Sequence, residues 1–446
     1  MFNIPSLNSG GNLELWVLHS SPFTLQSDEP APPLLQEHLI KSKGTKRING
    51  LKMAGSNSVP EGVNQHKPED YGYKKVPGTP APIPLERPPF SLKEIRDSIP
   101  PRCFERSLLK SFMHLGFNIV ICLALFYAST LINYFPIYIR LFLWPAYWFV
   151  QGAYLTGIWV IAHECGHQAF SDHQIVNDTV GLVMHSLLLV PYHSWKNTHR
   201  RHHLNTGSCE NDEVFVPPGR ARVEESLITE MMIESPMYNF SRMMIMLTAG
   251  WMPAYLLFNA TGPEKYIGKN VNHFSPTAVM FLPKQYNDIV VSDVGFFTVL
   301  GGLIWLGMNY GFANVVFYYV IPYMVCNYHL VLITFLQHTD TYVPHFRGEE
   351  WSWLRGALCT VDRSFGSWLD GVFHHISDTH VCHHLFPTMP FYHAEEATEA
   401  ISKVLGKYRM KDDTPIWKAL WRSYTNCKFV EDNDTIVFYK KNLKQL

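Results

Sequence analysis

The chain has 446 residues, of which 47% are apolar and 17% charged, with a net charge of −1. Charge is sparse against the roughly 25% of a typical soluble domain, which leans toward a membrane protein, and no broad basic field exists to make nucleic acid a main partner. Its eight cysteines are scattered without paired spacing and imply no disulfide framework.

Residues 1–84 are rich in Ser, Gly, Pro, Asn and Lys with little periodicity, which predicts a disordered polar tail. No charged-then-apolar signal opens the chain, and Met53 is a second candidate start that N-terminal sequencing would test. Ser91 and Glu94 fit a capping box for a short helix ending before Pro100-Pro101, placed at the membrane surface. Two almost uncharged runs follow, Phe112–Tyr134 and Leu141–Ala162, each meeting the roughly 20 residues a bilayer crossing needs. A third and a fourth lie within Val294–Leu336, split near Asn309-Tyr310-Gly311 as in a helical hairpin. Thr179–Tyr192 and Met243–Asn259 are apolar but short, as re-entrant, interfacial or buried segments are. The expected fold is therefore an all-α integral membrane protein with about four transmembrane helices, interfacial helices and a helical cap.

Between these segments stand three histidine clusters: His163-Glu-Cys-Gly-His167, His199-Arg-Arg-His202-His203 and His380-Val-Cys-His383-His384. With 22 histidines in the chain, an H-x-x-H-H pattern arises by chance roughly 0.05 times, the false-positive risk against which a motif is weighed; here it occurs twice. On a helix, residues three and four apart share a face, so each cluster can aim its rings at a common point. Eight imidazoles of this kind can hold two metal ions. Imidazole suits several first-row metals, so ligand type alone does not choose among them. If the clusters serve one site, an even number of crossings separates each from the next, so Thr179–Tyr192 should not span. Arg102, Arg106 and Lys110 precede the first span and place that end, and with it the clusters, in the cytoplasm.

His163-Glu164-x-x-His167 also fits the zinc-protease pattern in which the Glu is general base, but that reading leaves both H-x-x-H-H clusters without a role. His114, His185, His193, His329 and His393 read as ordinary core or surface rings. His374 and His375 precede the third cluster and are candidates for holding a ligand's tautomer from outside. His338 ends the fourth span at the level where the clusters must meet, and an ionisable group there is a functional candidate. Lys196, Arg200, Arg201, Arg220 and Arg222 make the same side locally basic, either as positive-inside bias or as a dock for an acidic electron carrier.

Taken together with Pro100-Pro101-Arg-Cys-Phe-Glu-Arg, Asn177-Asp-Thr-Val-Gly181, Gln337-His338-Thr339, Thr360-Val-Asp-Arg363 and the stretch from Phe373 through Pro387 to His393-Ala-Glu-Glu-Ala, the clusters make the chain resemble the membrane fatty-acid desaturases. It is most similar to the delta-12 (oleate) acyl-lipid desaturases of the endoplasmic reticulum. Gln168 departs from many plant relatives, which carry His there, whereas Glu164 and Arg201 lean away from omega-3 relatives. The resemblance implies a desaturase domain over 85–438 with a short tail at 439–446. It also implies two non-haem iron ions held by His163, His167, His199, His202, His203, His380, His383 and His384, with His338 as the additional ligand that relatives contribute from the last span. Iron suits hydrogen removal from an unactivated methylene with O2 as co-substrate, which redox-silent zinc does not.

The implied substrate is an oleoyl chain on a phospholipid or on coenzyme A, within the endoplasmic-reticulum membrane. No His-Pro-Gly-Gly haem-binding stretch is present, so a separate cytochrome b5 and its NADH-dependent reductase are the implied electron source. Self-association is left open. Omega-3 desaturation, hydroxylation, epoxidation and acetylenation are alternatives on the same scaffold; an intramembrane zinc metalloprotease and a His-rich transporter are alternatives of other classes.

Overall fold

The computed structural model describes residues 67–225 and 230–441; most of the expected polar tail, Met53 and the last five residues lie outside them. The expected capping box forms: the Glu94 N–H donates to Ser91 Oγ at 3.2 Å and the Glu94 carboxylate accepts from the Ser91 N–H at 2.7 Å. It starts α1 (Leu92–Ser98). Four long helical segments follow where the apolar runs predict them. α2 (Leu108–Thr130) and α3 (Ile137–Gly166) are joined by a tight connection. α7 (Tyr286–Tyr310) and the segment Phe312–His338, whose second part is α8 (Ile321–His338), are joined at Gly311. Gly311 sits at φ +91°, a backbone conformation that costs other residues a steric penalty, which is why the hairpin breaks there.

By length and composition Leu108–Tyr134, Pro283–Tyr310 and Phe312–His338 can cross a membrane. Their flanks leave Phe117, Val120, Leu123, Val294, Phe297 and Trp305 exposed, an apolar surface suited to lipid. α3, which carries the other expected span, is 30 residues long but diluted by Pro145, Gln151 and several Trp and Tyr. Much of it is packed inside the protein, where Gly152 and Gly157 let backbone approach closely. A Cβ on Gly157 would stand 2.5 Å from the Val372 carbonyl oxygen, and one on Gly152 would stand 2.5 Å from Val325. Small residues at such crossings are the membrane counterpart of ridge-and-groove packing.

Thr179–Tyr192 does not run straight through. α4 (Gln174–Leu187) and α5 (Tyr192–Asn205) are bent by 108° at the break between them, and Gly181 admits the Tyr192 ring at a distance no Cβ would tolerate. The bend returns the second histidine cluster to the end of α3 that bears the first. The other short stretch begins in α6 (Pro236–Ala249) and is interrupted at Met252. It buries Met243, Leu247, Trp251 and Leu256 against Leu330, Val331 and Phe335 of α8, inside the protein rather than across a bilayer.

The polar segments form the cap. α9 (His380–Leu385), α10 (Ala394–Leu405) and α11 (Ile416–Asn426) pack with two small sheets. β1 (His345–Phe346) pairs antiparallel with β4 (Ile436–Val437), and β2 (Val361–Asp362) pairs parallel with β3 (Met410–Lys411). Tyr73, Ile83, Leu85, Ile95 and Cys103 share one core with Leu358, Val381, Leu385, Ile401 and Phe438. Residues 67–84, placed in the polar tail by composition, thus contribute apolar side chains to the cap.

Candidate metal centre

α3 ends in His163 and His167, one helical turn apart, and α5 runs beside it with His199, His202 and His203. Each H-x-x-H-H cluster divides between two groups, its first and third rings going to one and its second to the other. From α5, His199 and His203, four apart, join His163, His167 and His383 in one group; His202 turns away to join His338 and His384 in a second. From α9 the split is reversed: His383 goes to the first group, while His384 goes to the second, where His380 Nε2 lies 3.1 Å from the Nε2 atoms of both His384 and His338. His338 arrives on the last turn of α8. His203 and His384 stack across the boundary, centroids 4.2 Å apart, so the two groups adjoin. All eight box histidines and His338 are brought together.

Within the groups Nε2 faces Nε2: His163 to His199 at 2.9 Å, His167 to His163 at 3.1 Å, His203 to His199 at 3.2 Å, and His202 to His338 at 3.3 Å. Metal–imidazole bonds of about 2.0–2.1 Å place neighbouring nitrogens about 2.9–3.4 Å apart, which these spacings match. Protons alone do not satisfy them. His202 directs Nδ1 to Asp212 Oδ1 at 2.7 Å and His380 directs Nδ1 to the Ile376 carbonyl at 3.1 Å. With Nδ1–H donating outward, both rings turn an Nε2 lone pair toward His338, which has one N–H at most for two acceptors. His383 Nε2 is buried with no hydrogen-bond partner. A cation in each group would answer these converging lone pairs, and the donor set fits a first-row metal. Burial first, then the neighbouring rings, holds His199, His203, His383 and His384 well below the ordinary imidazole value, so they present as neutral ligands.

The groups that orient the rings are mostly ones sequence reasoning missed. Glu164 is buried with Oε1 3.1 Å from His163 Nδ1 and 3.7 Å from His383 Nδ1. Its carboxylate faces the outer nitrogens of two rings and does not stand over an open position as a protease base would. Thr206 Oγ1 meets His384 Nδ1 at 3.2 Å. Asp212, ten residues beyond His202, carries no signal in spacing, because a loop returns it; the signal was only an acidic run after the second cluster. His374 and His375, candidates for this outer role, do not fill it. His374 Nε2 meets Asn118 at 3.2 Å, and His375 pairs with Asp378 and Glu395, because both residues sit at positive φ in a turn that points them away from α9. Asp212→Asn is expected to reduce metal affinity about 10–100-fold with the fold retained, since outer partners of metal-bound His have that weight; metal titration of the purified variant checks it.

Apolar rings wall the first group. Trp159 stacks on His163 with centroids 5.7 Å apart and Trp195 on His199 at 4.5 Å, within a cluster that includes Leu188, Val190, Leu247 and Trp251. On the polar side, Lys196 pairs with Asp178, Arg201 with Glu213 and Arg220 with Glu431, so much of the basic character read from sequence is neutralised; Arg200 and Arg222 are exposed.

A family model described as fatty acid desaturase matches residues 142–415. The delta(12) fatty acid desaturases of Mortierella isabellina and Mortierella alpina are each 48% identical over 369 residues, covering 79% of this chain and 91% of the relative. The omega-6 fatty acid desaturase, endoplasmic reticulum isozyme 2, of Glycine max is 47% identical over 358 residues, covering 79% of this chain and 91% of its own length.

Proposed function

The chain belongs to the fatty acid desaturase family, and from that premise we propose that it converts an oleoyl chain to linoleoyl by O2-dependent delta-12 desaturation. The observation that carries this reading is the convergence of nine imidazoles into two adjoining groups against an apolar wall, in a chain whose relatives bear delta(12) names. The ligands are His163, His167, His199, His203 and His383 for one iron, and His202, His338, His380 and His384 for the other. Two such ions, when bound, would supply the O2-dependent oxidation that removes hydrogen from an unactivated methylene.

The protein's own residues do the rest. Asp212, Thr206 and the Ile376 carbonyl hydrogen-bond the outer nitrogens of His202, His384 and His380 and hold those rings with Nε2 inward, and the Glu164 carboxylate lies beside the outer nitrogens of His163 and His383. Trp159, Trp195 and their apolar neighbours exclude water and present a surface along which a hydrocarbon chain lies. The membrane-capable helices hold the enzyme where acyl lipid is dissolved, and an endoplasmic-reticulum membrane suits the relatives' names. We place the histidine groups on the cytoplasmic face, within reach of cytochrome b5 and its reductase, and take phospholipid-linked oleoyl as substrate with acyl-CoA as the other carrier. The domain covers 85–438 in this reading.

The test is a fatty-acid profile, with double-bond location, of a eukaryotic host that makes oleate but no polyunsaturates. Linoleate appearing with the intact chain is the expected result. A hydroxylated, epoxidised or acetylenic C18 product would replace the reaction while keeping the scaffold, and no new product from confirmed, membrane-inserted protein would overturn the assignment.

A further inference from the structure

A separate set of ligand-type side chains lies outside the histidine centre, at the junction between the segment entering the first span and the start of α10. Cys103 is in the short turn Pro101–Phe104 and is fully buried. His393 is the residue that caps α10, and Glu396 lies in its first turn, three residues on. The Cys103 Sγ, one ring nitrogen of His393 and one carboxylate oxygen of Glu396 all lie within 4.8 Å of one another. We propose that Cys103, His393 and Glu396 form a second, mononuclear metal site that takes Zn2+ through one thiolate, one imidazole and one carboxylate, independently of the histidine centre.

Three chemically different donors from two segments nearly 300 positions apart converge here. Sulfur, nitrogen and oxygen donors of this kind are what zinc accepts, and three protein ligands with one position left for water make an open tetrahedral site. The thiolate separates this site from the all-imidazole groups, because soft sulfur favours zinc over ferrous iron. Burial, then Glu396 beside it, pushes the Cys103 thiol up to about 11, so without metal the thiol keeps its proton against the carboxylate. Binding replaces that proton: the S–H bond breaks, the proton leaves to solvent, an S–Zn bond forms, and no electron changes hands. Burial also lowers His393, leaving a neutral imidazole. Arg102 contacts Glu396 Oε1, and the Cys103 thiol hydrogen-bonds the same carboxylate, the bond that metal would replace. Half-exposed His393 and Glu396 give an ion a path in from solvent.

Bound metal would pin the entrance of the first span to α10, which packs on the α9 helix bearing His380, His383 and His384. Cys103 and Cys382, the residue between those histidines, lie in the same core. The site is thus placed to steady the third cluster without touching its ligands.

The experiment uses full-length protein in detergent, intact and in a His383→Ala background that weakens the histidine centre. Zinc by elemental analysis and Co2+ substitution by absorption are read in both. About one zinc per chain is expected in each background, together with a near-ultraviolet thiolate-to-cobalt band that imidazole groups cannot produce. Both signals are expected to disappear in Cys103→Ser. His393→Gln, which keeps the buried thiol, is expected to weaken zinc retention on dialysis and covers the case in which Cys103→Ser fails to fold. No zinc uptake and no thiolate band in the intact chain would reduce the cluster to a thiol–carboxylate hydrogen bond and overturn the proposal. Signals that survive both substitutions would put the metal elsewhere and overturn it equally. Neither outcome depends on which fatty acid the enzyme makes.

Discussion

His203→Ala is expected to abolish product formation and to deplete both metal positions, although the residue belongs to only one group. Its Nε2 lies 3.2 Å from that of His199 in the first group, while its ring stacks on His384 of the second at 4.2 Å. Removing it deletes a ligand on one side and the packing that holds a ligand on the other. Outer partners of metal-bound histidines are worth about 10–100-fold, so the loss of a ligand should exceed about 100-fold in product formed. His383→Ala should likewise abolish product formation and deplete the first group, since its unpartnered Nε2 faces that group and its Nδ1 lies near Glu164. The double variant should be no worse than either single one, because residues that act as a unit are non-additive. The measurement is linoleate per unit of correctly inserted protein, with iron content and gel-filtration profile recorded alongside. A His203→Ala enzyme that kept half its product, or a His383→Ala enzyme with undiminished iron, would refute this division of the rings between two adjoining groups.

The boundary at His203 and His384 marks where the sequence was legible and where it was not. The i, i+3 and i, i+4 spacings correctly placed the rings of each cluster on one helical turn, and the hydropathy runs located the long helices and the hairpin at Gly311. Helical periodicity cannot say that His202 parts company with His199 and His203, because neighbouring rings on a turn point about 100° apart and only the surrounding helices decide which rings meet. The parity argument asked that Thr179–Tyr192 not span, and the run is broken by the 108° bend between α4 and α5. The outer residues were largely invisible. Asp212 reaches His202 through a loop, Ile376 acts through a backbone carbonyl that carries no side-chain signature, and Glu164 was read only as the base of the protease pattern that was set aside. His374 and His375 were nearer in sequence and looked better placed, but positive φ at both turns them aside. Apolar residues at 73 and 83 joined the cap from a segment whose composition reads as tail, since a few anchoring side chains do not register in an average.

Arg363→Met is expected to destabilise the protein by about 3–5 kcal/mol, the cost of leaving a buried ionic network without one of its charges, and to lower iron content although Arg363 touches no metal ligand. The guanidinium is 0% exposed. It pairs with Asp340 at 2.7 Å and Asp412 at 2.5 Å, and its Nε–H donates to the Leu336 carbonyl at 2.8 Å. Leu336 lies two residues before His338 on the last turn of α8, so this one side chain fixes the helix end that delivers a ring to the second group. Arg422 also pairs with both aspartates at 2.6 Å but does not reach the Leu336 carbonyl. Burial alone would raise the Asp412 carboxyl; Arg363, Thr414 and Arg422 outweigh it and hold the group well below the usual carboxylate range. A depressed carboxylate stabilises the fold above its unfolded value of about 3.9 and loses that contribution as pH falls toward the folded one. The intact protein should therefore lose stability as it is acidified below about pH 4, and Arg363→Met should show a flatter acid profile from a lower starting point. Arg363→Lys separates the two roles. It restores charge but not the planar fork that serves two carboxylates and a carbonyl together, so thermal unfolding in detergent should recover more than iron content does. Equal recovery of both would mean that charge alone, and not the grip on Leu336, positions His338.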